Sequence, residues 1–349
     1  METIRLGDVV AFVSTLPEPA KEQATHAAAM IETRGLTMTF KARKGQVEAV
    51  RGVDLRVNEG EIYGFLGPNG AGKTTTMRML ATLLQPTSGD ATVCGFDLLR
   101  QAGQVRTQIG YVSQKGGAHG IESGRENLML QGQLYGMSER QALERTVELI
   151  KRLDLDQFAD RLVRTYSGGQ RRRLDVAMGM MHQPKLLFLD EPTTGLDPQS
   201  RVRIWDEVRR LRTEGVTVFL TTHYMDEADG LCDRLAIMDN GKIINEDTPN
   251  RLKQQIAGDI ISLGLDLRNG AMARIEESLR EQPFMRELQE TASGLQLYVD
   301  RGEEVLPEIL RFLDQHGAPI KTVTLARPTL EDVFLRLTGR SLRESAEGD

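Results

Sequence analysis

Aromatic residues make up only 5% of the sequence, with a single tryptophan, and there are just two cysteines. Cys94 and Cys232 stand far apart with no CxxC or Cys/His spacing around either. A disulfide framework and a structural zinc site are therefore unsupported, and a reducing compartment fits. Long apolar runs are missing as well: the longest, such as Leu186–Leu189, fall far below the roughly 18 residues that cross a bilayer. The chain is expected not to span a membrane. Val9–Val13 is too short for the apolar core of a signal peptide, so secretion is not expected. Nor is there an excess of positive charge. Lys and Arg total 44 against 50 Asp and Glu, a formal net charge of -6, which leaves no global field to attract nucleic acid or anionic lipid. What remains is ordinary globular material: 349 residues, 40% hydrophobic and 27% charged, enough for two domains with real cores.

Along the chain, residues 1–29 read as a loose extension, with Pro17 and Pro19 ahead of an Ala-rich stretch. Segments 35–40, 47–55 and 61–66 read as strands separated by Lys, Gly and Asn turns, a small antiparallel layer feeding a buried strand. Lys73–Leu84 reads as a helix closed by Pro86 and Ser88-Gly89. Glu126 to Leu153 carries apolar residues at helical spacing, inside a helical insertion over about 115–180. Leu186–Leu189 and Val216–Thr221 are short apolar runs of the kind found in covered parallel sheets, so the core is expected to be α/β. Beyond Gly258 the pattern is strand 261–267, helix 271–281, strands 285–291 and 295–299, helix 304–315 and strand 320–325. That βαββαβ order predicts a split-βαβ second domain.

Gly67-Pro68-Asn69-Gly70-Ala71-Gly72-Lys73-Thr74 matches the P-loop pattern, followed by Thr75, and it lies between an expected strand and an expected helix. Glycines let backbone N–H groups curl around a polyphosphate while the helix aims its positive end at it. Lys73 is placed to reach the β- and γ-phosphates, and the Thr74 hydroxyl is placed for Mg2+. A carboxylate at the end of a buried strand completes such a site, and Asp190-Glu191 after Leu186–Leu189 supplies two. Asp190 suits a Mg2+ ligand. Glu191 suits a general base or a group that orients the attacking water. Alone, an Asp-Glu pair after a strand is a solvated strand end; the P-loop upstream decides otherwise.

With these two motifs in place, Tyr166-Ser167-Gly168-Gly169-Gln170 resembles the signature of the ATP-binding cassette (ABC) family, and the chain resembles the nucleotide-binding subunit of an ABC transporter. The resemblance implies a P-loop NTPase (RecA-like) core with antiparallel β and helical subdomains over 30–257, plus a small α+β domain over 258–349. It makes Gln114 a residue that senses Mg2+ and the attacking water. His223 becomes the switch histidine, and Gly195-Leu196-Asp197-Pro198 the D-loop. Phe40 becomes the aromatic that stacks on adenine, with core packing as its competing reading. Two departures stand out: Tyr166 replaces the usual Leu, and Phe40 the usual Tyr. Arg171-Arg172-Arg173 reads as a solvated helix face, since no aromatic interleaves it. The ending Pro328–Arg340 is similar to that of daunorubicin/doxorubicin-resistance-type ATP-binding subunits.

The resemblance further implies ATP and Mg2+ as ligands and a second copy of the chain as partner, since P-loop and signature enclose ATP only head to tail. A separate integral-membrane permease is expected, with the chain peripheral on the cytoplasmic face of a bacterial membrane and no nucleic acid involved. The work would be efflux of a drug-like or lipophilic compound, with the second domain stabilising the dimer or tuning its coupling. The alternative is a soluble ABC ATPase acting on ribosomes or DNA. Such proteins usually carry two cassettes, or coiled-coil or zinc insertions, and none is evident here. A P-loop kinase or GTPase would lack both the signature and the switch histidine.

Overall fold

The computed structural model describes residues 29–42, 45–256, 258–265, 271–291 and 294–339. Apart from Ala29, the expected N-terminal extension lies outside the described residues, as do Arg340 and the segment after it. Two long strands, Ala29–Ala42 (β1) and Gly45–Asn58 (β2), pair antiparallel and continue through Ser88–Val93 (β4) and Phe96–Asp97 (β5) in the order β2-β1-β4-β5. In β2 the buried Val53, Leu55 and Val57 alternate with exposed Asp54 and Arg56, the period of a half-covered sheet. Both strands outrun the expected segments because the pleat places charged residues on the solvent side.

Next to it lies a mostly parallel sheet of Ile62–Leu66 (β3), Ile109–Val112 (β6), Leu186–Asp190 (β7), Thr217–Thr222 (β8), Arg234–Asp239 (β9) and Lys242–Asp247 (β10), ordered β10-β9-β3-β8-β7-β6. Every residue of β3, β7 and β8 is buried, which is why β3 and the first four residues of β7 form apolar runs and β8 holds Val218-Phe219-Leu220 between threonines. Register aligns the strand ends: Leu66 sits opposite Thr222, Asp190 opposite Thr221, and Val112 opposite Leu189. The loops leaving β3, β6, β7 and β8 therefore emerge at one edge, where open α/β sheets hold ligands. The β9–β10 hairpin turns on Asn240-Gly241, both at positive φ, a turn signal that sequence reasoning missed.

Helix α1 (Lys73–Leu80) stops before the expected Leu84, because Thr82 turns the chain to φ 61. The helical insertion holds α3 (Gly124–Leu134) and α4 (Glu139–Arg152), two helices where one run was expected. Gly136 at φ 79 ends the first, and Ser138 caps the second in a capping box with Gln141. Between the sheets' connections run α2 (Ala102–Gln108), α5 (Gly168–Gly179), α6 (Pro198–Thr213), α7 (Met225–Leu231) and α8 (Pro249–Ile256).

The C-terminal unit follows the expected βαββαβ order. Its elements are Asp259–Leu265 (β11), Ala271–Arg280 (α9), Met285–Thr291 (β12), Gly294–Val299 (β13), Gly302–Gln315 (α10) and Ile320–Ala326 (β14). The sheet runs β12-β13-β11-β14, antiparallel throughout, over a separate core that includes Ile261, Leu297 and Ile309. The last helix, Leu330–Thr338 (α11), leaves that core. Its Leu330, Val333 and Phe334 join the core of the larger unit beside α8 and α7, while Arg336 pairs with Glu287 of β12 at 3.3 Å. Among the described residues no helix is long and apolar enough to cross a membrane.

Candidate nucleotide site

The P-loop leaves β3 at Gly67 and delivers Lys73 as the first residue of α1. Two of its glycines are sterically required. A Cβ on Gly67 would meet the Met238 carbonyl oxygen at 2.2 Å, and one on Gly72, at φ +100, would meet that of Ala49 at 2.5 Å. Lys73 is 4% exposed and its Nζ donates to the carbonyls of Gly67 and Pro68 at 2.7 and 2.8 Å. Burial pulls its ammonium down to a pKa of about 8, against the pull of Glu191 and Asp190 in the opposite direction. No acidic residue occupies the first turn of α1, so its positive end is unopposed. Above this loop lies a cavity of about 640 Å³, lined by Asn69 to Thr75, Gln114, Glu191 and residues of β2. A phosphate-sized anion meets backbone N–H groups, a helix N-terminus and a buried ammonium there.

The carboxylates stand across from it. Asp190 Oδ1 accepts hydrogen bonds from the hydroxyls of Thr74 at 2.8 Å and Thr221 at 2.7 Å. A hydroxyl and a carboxylate already in contact form the donor set that Mg2+ takes in nucleotide sites. Glu191, 8% exposed, sits in the left-handed region at φ 45, which an L-residue adopts at a cost of about 1 kcal/mol. That backbone twist turns its carboxylate into the cavity. Gln114 Nε2 and Thr194 Oγ1 donate to its Oε2 at 2.9 and 3.1 Å, and His223 Nδ1 lies 3.3 Å from Oε1. Burial pushes the Glu191 carboxyl up, but the His223 ring, the Lys73 ammonium and the Thr194 hydroxyl outweigh it and hold it below the ordinary range. The structure thus brings Gln114, Asp190, Glu191 and His223 together with Lys73 and Thr74.

Other expected residues lie elsewhere. Ser167 caps α5 and forms a capping box with Gln170, so both engage their own helix start. Ser167 and Gly168 are exposed, while Gly169 is packed so tightly that a Cβ would meet Ser200 Oγ at 2.5 Å. None of the four lines the cavity over the P-loop. Asp197 caps α6, accepting from the backbone N–H and hydroxyl of Ser200 at 2.9 and 2.6 Å. Phe40 is 38% exposed and belongs to none of the buried clusters; its cross-strand neighbour Val47 lines the cavity.

The solvated-face reading of Arg171-Arg172-Arg173 holds for the exposed Arg171 but is overturned for Arg172, which is buried, and for Arg173, which is half-buried. Arg172 is 6% exposed, Arg171 donates to the Ala118 carbonyl at 3.1 Å, and Arg173 lies over the Phe158 ring while donating to the Leu153 and Asp154 carbonyls. Sequence reasoning also missed Thr221 and Thr194, which hold the two carboxylates. It missed Glu227 too, a buried carboxyl that accepts from Thr193 and Trp205 at 2.9 and 3.0 Å. The threonine pair before His223 is the one signal that pointed to Thr221.

Comparison with known proteins gives three findings. Residues 50–194 match the family model described as ABC transporter, and residues 248–338 match that of the ATP-binding protein DrrA1-3-like C-terminal domain. The chain is 44% identical over 300 residues to the daunorubicin resistance ATP-binding protein DrrA2 of Streptomyces coeruleorubidus, covering 86% of this chain and 93% of that protein. With the daunorubicin/doxorubicin resistance ATP-binding protein DrrA of Streptomyces peucetius it shares 43% identity, over 91% of this chain and 96% of that one. Among solved structures, a dimeric ATP-binding cassette in a post-hydrolysis state bound to ADP and Pi superposes with a TM-score of 0.58 at 26% identity. That match covers 63% of this chain and 98% of the cassette.

Proposed function

Since the chain belongs to the ABC transporter ATP-binding proteins, in the daunorubicin/doxorubicin-resistance group, and is an ATPase of that family, we propose that it powers efflux of a drug-like or lipophilic compound. It does so as an ATP-closed dimer beneath a separate membrane permease, peripheral on the cytoplasmic face of a bacterial membrane. Residues 30–257 form the cassette and 258–349 an accessory domain that tunes it. The observation that carries the reading is the division of the site. Lys73, Thr74, Gln114 and Glu191 line one cavity, with Asp190 held against Thr74 and His223 against Glu191 beside it, whereas the exposed Ser167-Gly168 start of α5 is absent from that lining.

In this reading Gly67 to Gly72 and Lys73 hold the ATP phosphates, Thr75 extends the cradle, and Phe40 stacks on the base. Thr74, Asp190 and Gln114 are the residues that would hold Mg2+, which when bound neutralises phosphate charge. Glu191, an anion at neutral pH, receives the proton of the attacking water, while Gln114 and His223 orient its two oxygens. Ser167, Gly168, Gly169 and Gln170 of a second copy close the far side with another positive helix end, and Asp197 lies in the D-loop between the two sites. Moving such a pair from mostly open to mostly closed takes about 5.5 kcal/mol of differential binding, which two triphosphates gripped by charge-assisted bonds supply.

The test is Glu191→Gln. It should bind ATP with unchanged affinity, lose at least about a hundredfold in turnover, and sediment as a dimer with ATP and a monomer without it. A variant that stays monomeric at saturating ATP contradicts the dimer. In the cell that makes the protein, the same substitution should raise retained anthracycline several-fold; unchanged retention removes the export reading and leaves the ATPase standing.

A further inference from the structure

Helix α5, which begins at the signature, carries a second set of contacts further along. All three hydrogen bonds of the buried Arg172 guanidinium end on backbone carbonyls: Nη1 donates to Ser113 at 2.6 Å, Nη2 to Asp190 at 2.9 Å, and Nε to Pro192 at 2.8 Å. Ser113 precedes Gln114, and Asp190 and Pro192 flank Glu191. One turn on, Asp175 Oδ1 accepts from the N–H groups of Gly117 and Ala118 at 2.9 and 3.2 Å. Gly116, at φ +75, leaves no room for a side chain, since a Cβ there would meet Asp175 Oδ2 at 2.4 Å. A cation therefore grips the carbonyl at the start of the Gln114 loop, and an anion grips the amides at its end, both from one rigid helix. Only a planar fork reaches three carbonyls in this way, and cutting it leaves buried acceptors without donors.

We propose that Arg172, with Asp175, is a positioning residue that makes Gln114 and Glu191 move as one body with the signature of the same chain. This rests on the dimer reading above: the signature closes on the partner's nucleotide, so Arg172 links closure at one site to the geometry of the other. Arg172 does not line the cavity over the P-loop, and its hydrogen bonds all run to backbone carbonyls of its own chain.

A double-mutant cycle in the full chain tests this with Arg172→Lys, which keeps the charge and removes the fork, Gln114→Ala, and both together. Arg172→Lys should lower kcat about tenfold with the ATP Kd within about twofold. Added to Gln114→Ala it should cost less than about threefold more, because both act through one linkage. Without nucleotide, amide exchange at Gly117 and Ala118 should quicken about tenfold in Arg172→Lys while β6 and β7 are unaffected. An unchanged kcat, a loss confined to KM, or effects that multiply in full overturns the proposal. Should Arg172→Lys fail to fold, Asp175→Ala cuts the same loop from its other end and is read by the same cycle. ATP-driven pairing of Glu191→Gln separates the layers: if that chain pairs and the cycle multiplies, the linkage alone fails, and if it does not pair, the dimer reading fails first.

Discussion

Lys73 carries the sharpest pH prediction at the residue scale. Its ammonium is half neutral near pH 8 in the free protein, and the charge of a triphosphate favours the protonated form. Binding at pH 8 should therefore take up about half a proton, and affinity should fall as pH rises above 8. Calorimetry in two buffers of different ionisation enthalpy measures the uptake, and zero uptake contradicts the assignment. The same shift bears on stability with the sign of a depressed lysine. Its destabilising effect is fully present below pH 8 and is relieved as pH rises from 8 toward the unfolded value of 10.5. Lys73, Thr74 and Glu191 were legible in the sequence because their roles follow from a local loop or from the next residue along a strand. Thr221 and Arg172 were not. Thr221 meets Asp190 only through the register of β7 on β8, and Arg172 is indistinguishable from a surface arginine until α5 is turned against the Gln114 loop.

At the scale of elements, periodicity found the helical insertion and the βαββαβ order but not every boundary. The break between α3 and α4 is written in Gly136 and Ser138, yet apolar spacing continues across it. Ser138→Ala should cost about 1 kcal/mol through loss of its cap, read as a lowered denaturant midpoint; no change assigns the break to Gly136 alone. Helix α11 shows a different limit. Its amphipathic pattern is local, but the surface it covers, beside α7 and α8, is set by the whole chain. Phe334 is fully buried there, so Phe334→Ala should destabilise the larger unit by about 3–5 kcal/mol. A loss confined to the C-terminal unit would show that α11 belongs to that unit instead.

On the scale of the whole molecule, the helix starts at α1 and α5 lie apart, and only the first shares a cavity with Glu191. The proposed function rests on that separation: in the dimer proposed above, each half finds its complement on another copy. The most direct test mixes two variants: Lys73→Ala, which loses the phosphate grip, and Gly168→Asp, which places a negative charge at the start of α5. Each alone should be silent in ATP turnover. Mixed in equal amounts, random pairing gives half mixed dimers, each with one intact site of two, and about a quarter of wild-type turnover should return. A Gly168→Asp chain that turns over ATP normally by itself, or a mixture no more active than its parts, contradicts the composite site.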